Sequence, residues 1–120
     1  MFNVIIIGGD SIPTYEKFQS ECIKFLRVKA ESGEHIRILS IGDDFVNKFA
    51  VTFGIEVKTF NCDWLKYGKT SIYMRNKEIV SEANAIIYFD SNKKDLANLY
   101  DYATKCGLNH RRVEISELSL

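Results

Sequence analysis

Residues Asn3-Val4-Ile5-Ile6-Ile7-Gly8-Gly9-Asp10-Ser11 decide the fold. A short, β-branched, almost wholly apolar run halted by two glycines is the pattern of a strand buried on both faces, as in a parallel sheet. Two glycines let the chain either turn tightly into a helix or bring its backbone close to a ligand. Asp10 or Ser11 is placed to cap the coming helix, and Pro13, the only proline, suits its first turn. That helix reads Tyr15, Phe18, Cys22, Ile23 and Leu26 at helical spacing, turns Glu16, Lys17, Glu21 and Lys24 to water, and ends at Gly33.

The same unit recurs along the chain. Ile36 to Ile41 predicts a second strand, Gly42 a turn, and Asp43-Asp44 the start of a helix with apolar face Val46, Phe49, Ala50 and Phe53, stopped by Gly54. Ile55 to Phe60 alternates Ile55, Val57 and Thr59 against Glu56 and Lys58, which predicts an edge strand with one exposed face. A helix from about Thr70 to Glu82 presents Met74, Ile79, Val80 and Ala83 to the sheet. Ala85 to Phe89 is a second fully buried strand, closed by Asp90-Ser91-Asn92. A fourth long helix buries Leu96, Leu99, Tyr100 and Ala103 and ends at Gly107, and Arg111 to Ile115 supplies a last strand.

Strands alternating with crossovers of helical length define an α/β fold, a three-layer Rossmann-like sandwich around a mostly parallel sheet of about five strands. The most apolar strands, the first and fourth, belong at the centre, which gives the order 3-2-1-4-5. Ligands of such sheets bind beyond the carboxyl ends of the strands where the strand order reverses, here between Ile7 and Phe89.

Composition narrows the function. A length of 120 residues predicts one domain, and 46% apolar with 27% charged residues is ordinary for a globular protein. Sixteen basic and sixteen acidic residues cancel, so no broad electrostatic grip on nucleic acid is signalled. No apolar run approaches the roughly 20 residues that span a bilayer. The start Met1-Phe2-Asn3-Val4 lacks the basic region of a signal peptide, so a cytoplasmic location is expected, in a host cell or carried there by a phage or mobile element. Cys22, Cys62 and Cys106 form no Cys-x-x-Cys pair, and His35 and His110 stand alone, so neither a disulfide framework nor a metal is signalled, and no cofactor.

The stretch Asp63 to Asn76 holds the only tryptophan, three basic residues and a glycine. Lys66, Lys69 and Arg75 are candidates for charge-assisted contacts to a phosphate, with Arg75 able to give two parallel bonds. Trp64, Tyr67 or Tyr73 offers a stacking face, and Ser71 and Asn76 polar contacts to a sugar or base. The plain alternative is a solvated surface connection anchored by Trp64.

Asp63-Trp64, Gly68-Lys69 and Arg75-Asn76, together with the Gly8-Gly9 turn and Ala83 to Phe89, resemble the YspA-like, cpYpsA-related branch of the SLOG superfamily. The resemblance spans nearly the whole chain, but two of the family's glycine loops are reduced. Ser40-Ile41-Gly42-Asp43-Asp44 stands where a longer glycine-rich loop is usual, and Ser91-Asn92-Lys93-Lys94 lacks the family's Gly-Thr. The resemblance implies a nucleotide or nucleotide-like ligand and a homo-oligomer, most simply a dimer. The implied site comprises Gly8, Gly9, Asp10, Ser11, Gly42, Asp43, Trp64, Lys66, Gly68, Lys69, Arg75, Asn76, Asp90 and Ser91. The Pro-Gly-Gly-x-Gly-Thr-x-x-Glu motif of the superfamily's phosphoribohydrolases is missing, which favours binding, as a sensor or sequestering protein, over turnover. A nucleotide-processing hydrolase and a protein-interaction module with a decayed site are the alternatives.

Overall fold

The computed structural model describes residues 1–115. Five strands, β1 (Phe2–Ile7), β2 (Ile36–Ser40), β3 (Glu56–Thr59), β4 (Ala85–Asp90) and β5 (Asn109–Glu114), alternate with α1 (Tyr15–Glu31), α2 (Asp44–Phe53), the single turn α3 (Trp64–Tyr67), α4 (Ser71–Glu82) and α5 (Lys94–Lys105). The sheet runs β3-β2-β1-β4-β5, and every neighbouring pair is parallel. The central register sets Ile5 beside Leu39 on one side and Ile86 on the other. The Rossmann-like order read from the sequence is the observed one.

Alternation along the central strands divides the core in two. Val4, Ile6, Ile38, Ile87 and Phe89 pack with Phe18, Cys22 and Leu26 of α1 and Val46, Phe49 and Ala50 of α2. Ile5, Ile7, Leu39, Ile86 and Tyr88 pack with Ile79 and Val80 of α4 and Leu99 and Ala103 of α5. Each fully buried large side chain contributes about 1.5–3 kcal/mol relative to exposure, so the two central strands supply much of the driving force. Burial pushes the Cys22 thiol far above its usual range, so it behaves as a small apolar group.

Several local expectations are corrected. Thr14, not Asp10 or Ser11, caps α1, its hydroxyl accepting from the Lys17 amide, and Pro13 lies just before that cap. Residues Gly9–Ser11 form a 3-10 turn instead. β3 is exposed along its whole length; the apolar contacts expected of it come from Ile55 and Phe60 at its two ends. Met74 does not join the core, and the inward positions of α4 are Ser71, Asn76, Ile79 and Val80. Part of the basic loop is helical, as α3, and β5 begins at Asn109, where its pairing with Ala85 starts.

Candidate functional site

The turn after β1 is filled by the protein's own groups. The Gly8 and Gly9 amides both donate to Asp43 Oδ2, at 2.9 and 3.3 Å. In return the Asp44 and Phe45 amides at the start of α2 donate to the two carboxylate oxygens of Asp10, at 3.1 and 3.0 Å. Backbone amides at glycine turns and helix starts are the donors that hold a phosphate, and here carboxylates from the opposite loop occupy them. Burial, and then the neighbouring Asp10, raise the Asp43 carboxyl above its ordinary pKa; the two glycine amides and Lys93 oppose that rise.

Both glycines are also demanded by packing. Gly8 has φ 86°, and a Cβ on it would lie 2.1 Å from the Phe89 carbonyl oxygen; a Cβ on Gly9 would lie 2.6 Å from the Phe18 ring. The close approach is to the protein itself. Gly42, with φ 106°, donates its amide to Ser40 Oγ and has open space around it.

Across the switch point, Asp90 is fully engaged. Its Oδ1 accepts from the Tyr88 hydroxyl (2.9 Å) and the Asn92 amide (2.8 Å), and its Oδ2 pairs with Arg112 Nε at 2.8 Å. The Asn92 amide, with the Tyr88 hydroxyl and Arg112, holds the Asp90 carboxyl below its usual range against the cost of burial. Among the described residues, the buried Ser91 hydroxyl oxygen has no hydrogen-bond partner.

The basic element is built differently. Asp63 caps α3 by accepting from the Lys66 amide, and Gly68 takes φ 54°, ψ −127°, a conformation open to glycine alone, to redirect the chain into α4. The Ser71 hydroxyl donates to the Gly68 carbonyl and is fully buried, so it braces the turn. Arg75 Nε donates to Asn76 Oδ1 at 3.1 Å, which fixes the guanidinium against its own helix.

Two cavities flank α4. One of about 550 Å³ lies between α3 and α4, lined by Lys66, Tyr67, Arg75 and Lys77 with Asp63 and Glu78. The other, of about 390 Å³, lies between α4 and α5 and takes Lys69, Tyr73 and Asn76 with Asp95 and Tyr102. The predicted residues are thus divided: Lys66 and Arg75 share one groove, Lys69 and Asn76 the other, and neither groove includes a residue of the Gly8–Ser11 or Asp90–Asn92 turns. Trp64, 57% exposed, lines neither, and Tyr67 is the aromatic of the larger groove. Among the described residues, Lys66, Arg75 and Lys77 form no ion pair, whereas Arg37, Lys58 and Arg112 all do. Sequence reasoning passed over Lys77 and Asn61; the helical spacing of Ser71, Met74, Arg75, Glu78 and Ser81 marks the face to which Lys77 is adjacent.

Comparison of the chain with family models, curated proteins and solved structures returns no match.

Proposed function

We propose that the protein binds a nucleotide or nucleotide-derived small molecule in the groove between α3 and α4, as a sensor or sequestering protein of SLOG-like type. One observation carries the reading: three cations that form no ion pair among the described residues, Lys66, Arg75 and Lys77, line one groove of about 550 Å³ beside Asp63 and Glu78, a volume typical of small-molecule sites. Arg75 supplies the two-pronged phosphate contact, the lysines supply point charges, and the Tyr67 ring offers a face for a base. The resemblance of Asp63-Trp64, Gly68-Lys69 and Arg75-Asn76 to a nucleotide-binding superfamily supports the same choice. The Gly8–Gly9 turn is a structural element in this reading, because its amides already hold Asp43.

Thermal-shift screening against nucleoside mono-, di- and cyclic phosphates tests the proposal. A ligand at a hundred times its Kd stabilises the fold by about 2.7 kcal/mol, a shift of several degrees. No ligand giving a larger shift on wild type than on Arg75→Ala refutes it. A hydrolytic reading draws on Glu78, whose carboxylate lines the same groove. Chromatography after incubation with nucleoside monophosphates decides it: free base that vanishes with Glu78→Gln establishes turnover, and intact nucleotide excludes it.

A further inference from the structure

Among the described residues, the strand β3 forms one edge of the sheet and pairs with β2 alone. The Phe60 amide donates to the Ser40 carbonyl, so with strand alternation the N–H and C=O groups of Val57 and Thr59 point away from the sheet into solvent. All four residues of the strand are exposed, and Val57 keeps 37% of its surface on the α1/α2 face. On the other face Glu56 and Lys58 stand two residues apart within an ionic chain: Glu56 to Arg37, Arg37 to Glu82, and Glu82 to Lys58.

We propose that two copies of the chain pair antiparallel along β3, centred on Val57, to make one continuous ten-stranded sheet. In this register Val57 exchanges both backbone hydrogen bonds with its symmetry mate, and the Thr59 amide reaches the partner's carbonyl at position 55. The side chains are self-complementary in the same register. Val57 meets Val57 on the apolar face. Glu56 stands opposite Lys58 of the partner subunit, twice over, and links the two ionic chains across the dyad. Cross-strand pairs of this kind stabilise a ladder, and like charges directly opposite oppose it.

β5 reads Asn109-His110-Arg111-Arg112-Val113-Glu114, and every two-fold register centred on or between its arginines sets guanidinium against guanidinium. The proposal does not depend on a ligand in the α3/α4 groove.

Light scattering coupled to size exclusion, on the whole chain at about 100 µM so that a weak dimer is also populated, tests the pairing. Wild type is expected to elute near twice 13.8 kDa. Val57→Pro removes the central outward N–H at an edge position that tolerates proline, and is expected to give a folded monomer by circular dichroism. Glu56→Lys and Lys58→Glu, each alone, are expected to be monomeric. Mixed one to one they restore lysine opposite glutamate at both positions, and are expected to form a heterodimer. A monomeric wild type, a Val57→Pro dimer as tight as wild type, or a mixture no more associated than its components overturns the proposal.

Discussion

Replacing Gly8 by alanine tests the claim that the glycine turn serves the protein's own packing. Gly8 sits at φ 86°, and an added Cβ falls 2.1 Å from the Phe89 carbonyl oxygen. The left-handed conformation alone costs a non-glycine residue about 1–2 kcal/mol. Relieving the contact requires β1 and β4 to part by about 1 Å at the central register Ile7–Tyr88, which weakens at least one ladder bond at a further ~1–2 kcal/mol. The total is about 3 kcal/mol, a large fraction of the 5–15 kcal/mol that stabilises a typical domain. Gly42→Ala is the internal control, since Gly42 has φ 106° but nothing within 4 Å of a Cβ; only the conformational cost of ~1–2 kcal/mol applies. Unfolding in urea followed by circular dichroism, with a slope of about 2 kcal/mol/M, should show the midpoint lowered by ~1.5 M for Gly8→Ala and by only ~0.5–1 M for Gly42→Ala. Equal midpoints for the two variants refute the steric argument.

The clamp between the first two loops makes two further predictions. Asp10→Ala leaves the Asp44 and Phe45 amides without an acceptor and should cost about 1 kcal/mol in urea unfolding, as for loss of a helix cap; an unchanged midpoint contradicts the capping role. Asp43 has a raised carboxyl pKa, so ionising it costs stability as pH rises above the unfolded value near 3.8, and acidification relieves that cost. Asp43→Asn keeps an acceptor for the glycine amides but removes the charge, so its midpoint should gain on wild type as pH rises from about 3.5 to 7; a constant difference across that range excludes the effect. Tyr88 is pushed up to about 12 by burial and then by its hydrogen bond to Asp90. Stability should therefore fall as pH rises from about 10 to 12, where the unfolded chain ionises first, and Tyr88→Phe should remove that component of the decline.

The sheet was legible because β1 and β4 are buried on both faces, and a run such as Ile5-Ile6-Ile7 has no other comfortable place. Their central position then follows from apolar content alone. Local spacing misled where the deciding partner is distant in sequence. Asp10 looks like a cap for the helix that follows it, yet its partners are 34 and 35 residues on, at the start of α2. The alternation in β3 suggested a half-buried strand, but Glu56 and Lys58 are drawn into ion pairs with Arg37 and Glu82, and Val57 keeps more than a third of its surface exposed. Met74 and Asn76 exchanged expected roles because a polar residue that pairs with its neighbour Arg75 can sit against the core, while a flexible thioether can line a groove. The site was legible in part. Lys66 and Arg75 share a groove as their shared stretch suggested, but the Gly8–Gly9 turn is sealed by the distant Asp43 carboxylate, which turn chemistry alone does not distinguish from a ligand.

Isothermal titration calorimetry with the nucleotide that gives the largest thermal shift tests the central claim most directly. One site per chain is expected on wild type, with binding at least tenfold weaker for Arg75→Ala, a loss of about 1.4 kcal/mol, and wild-type affinity for Asp43→Asn. Arg75→Ala binding as tightly as wild type, or Asp43→Asn alone raising the affinity, would contradict it and move the phosphate from the α3/α4 groove to the amides of Gly8 and Gly9.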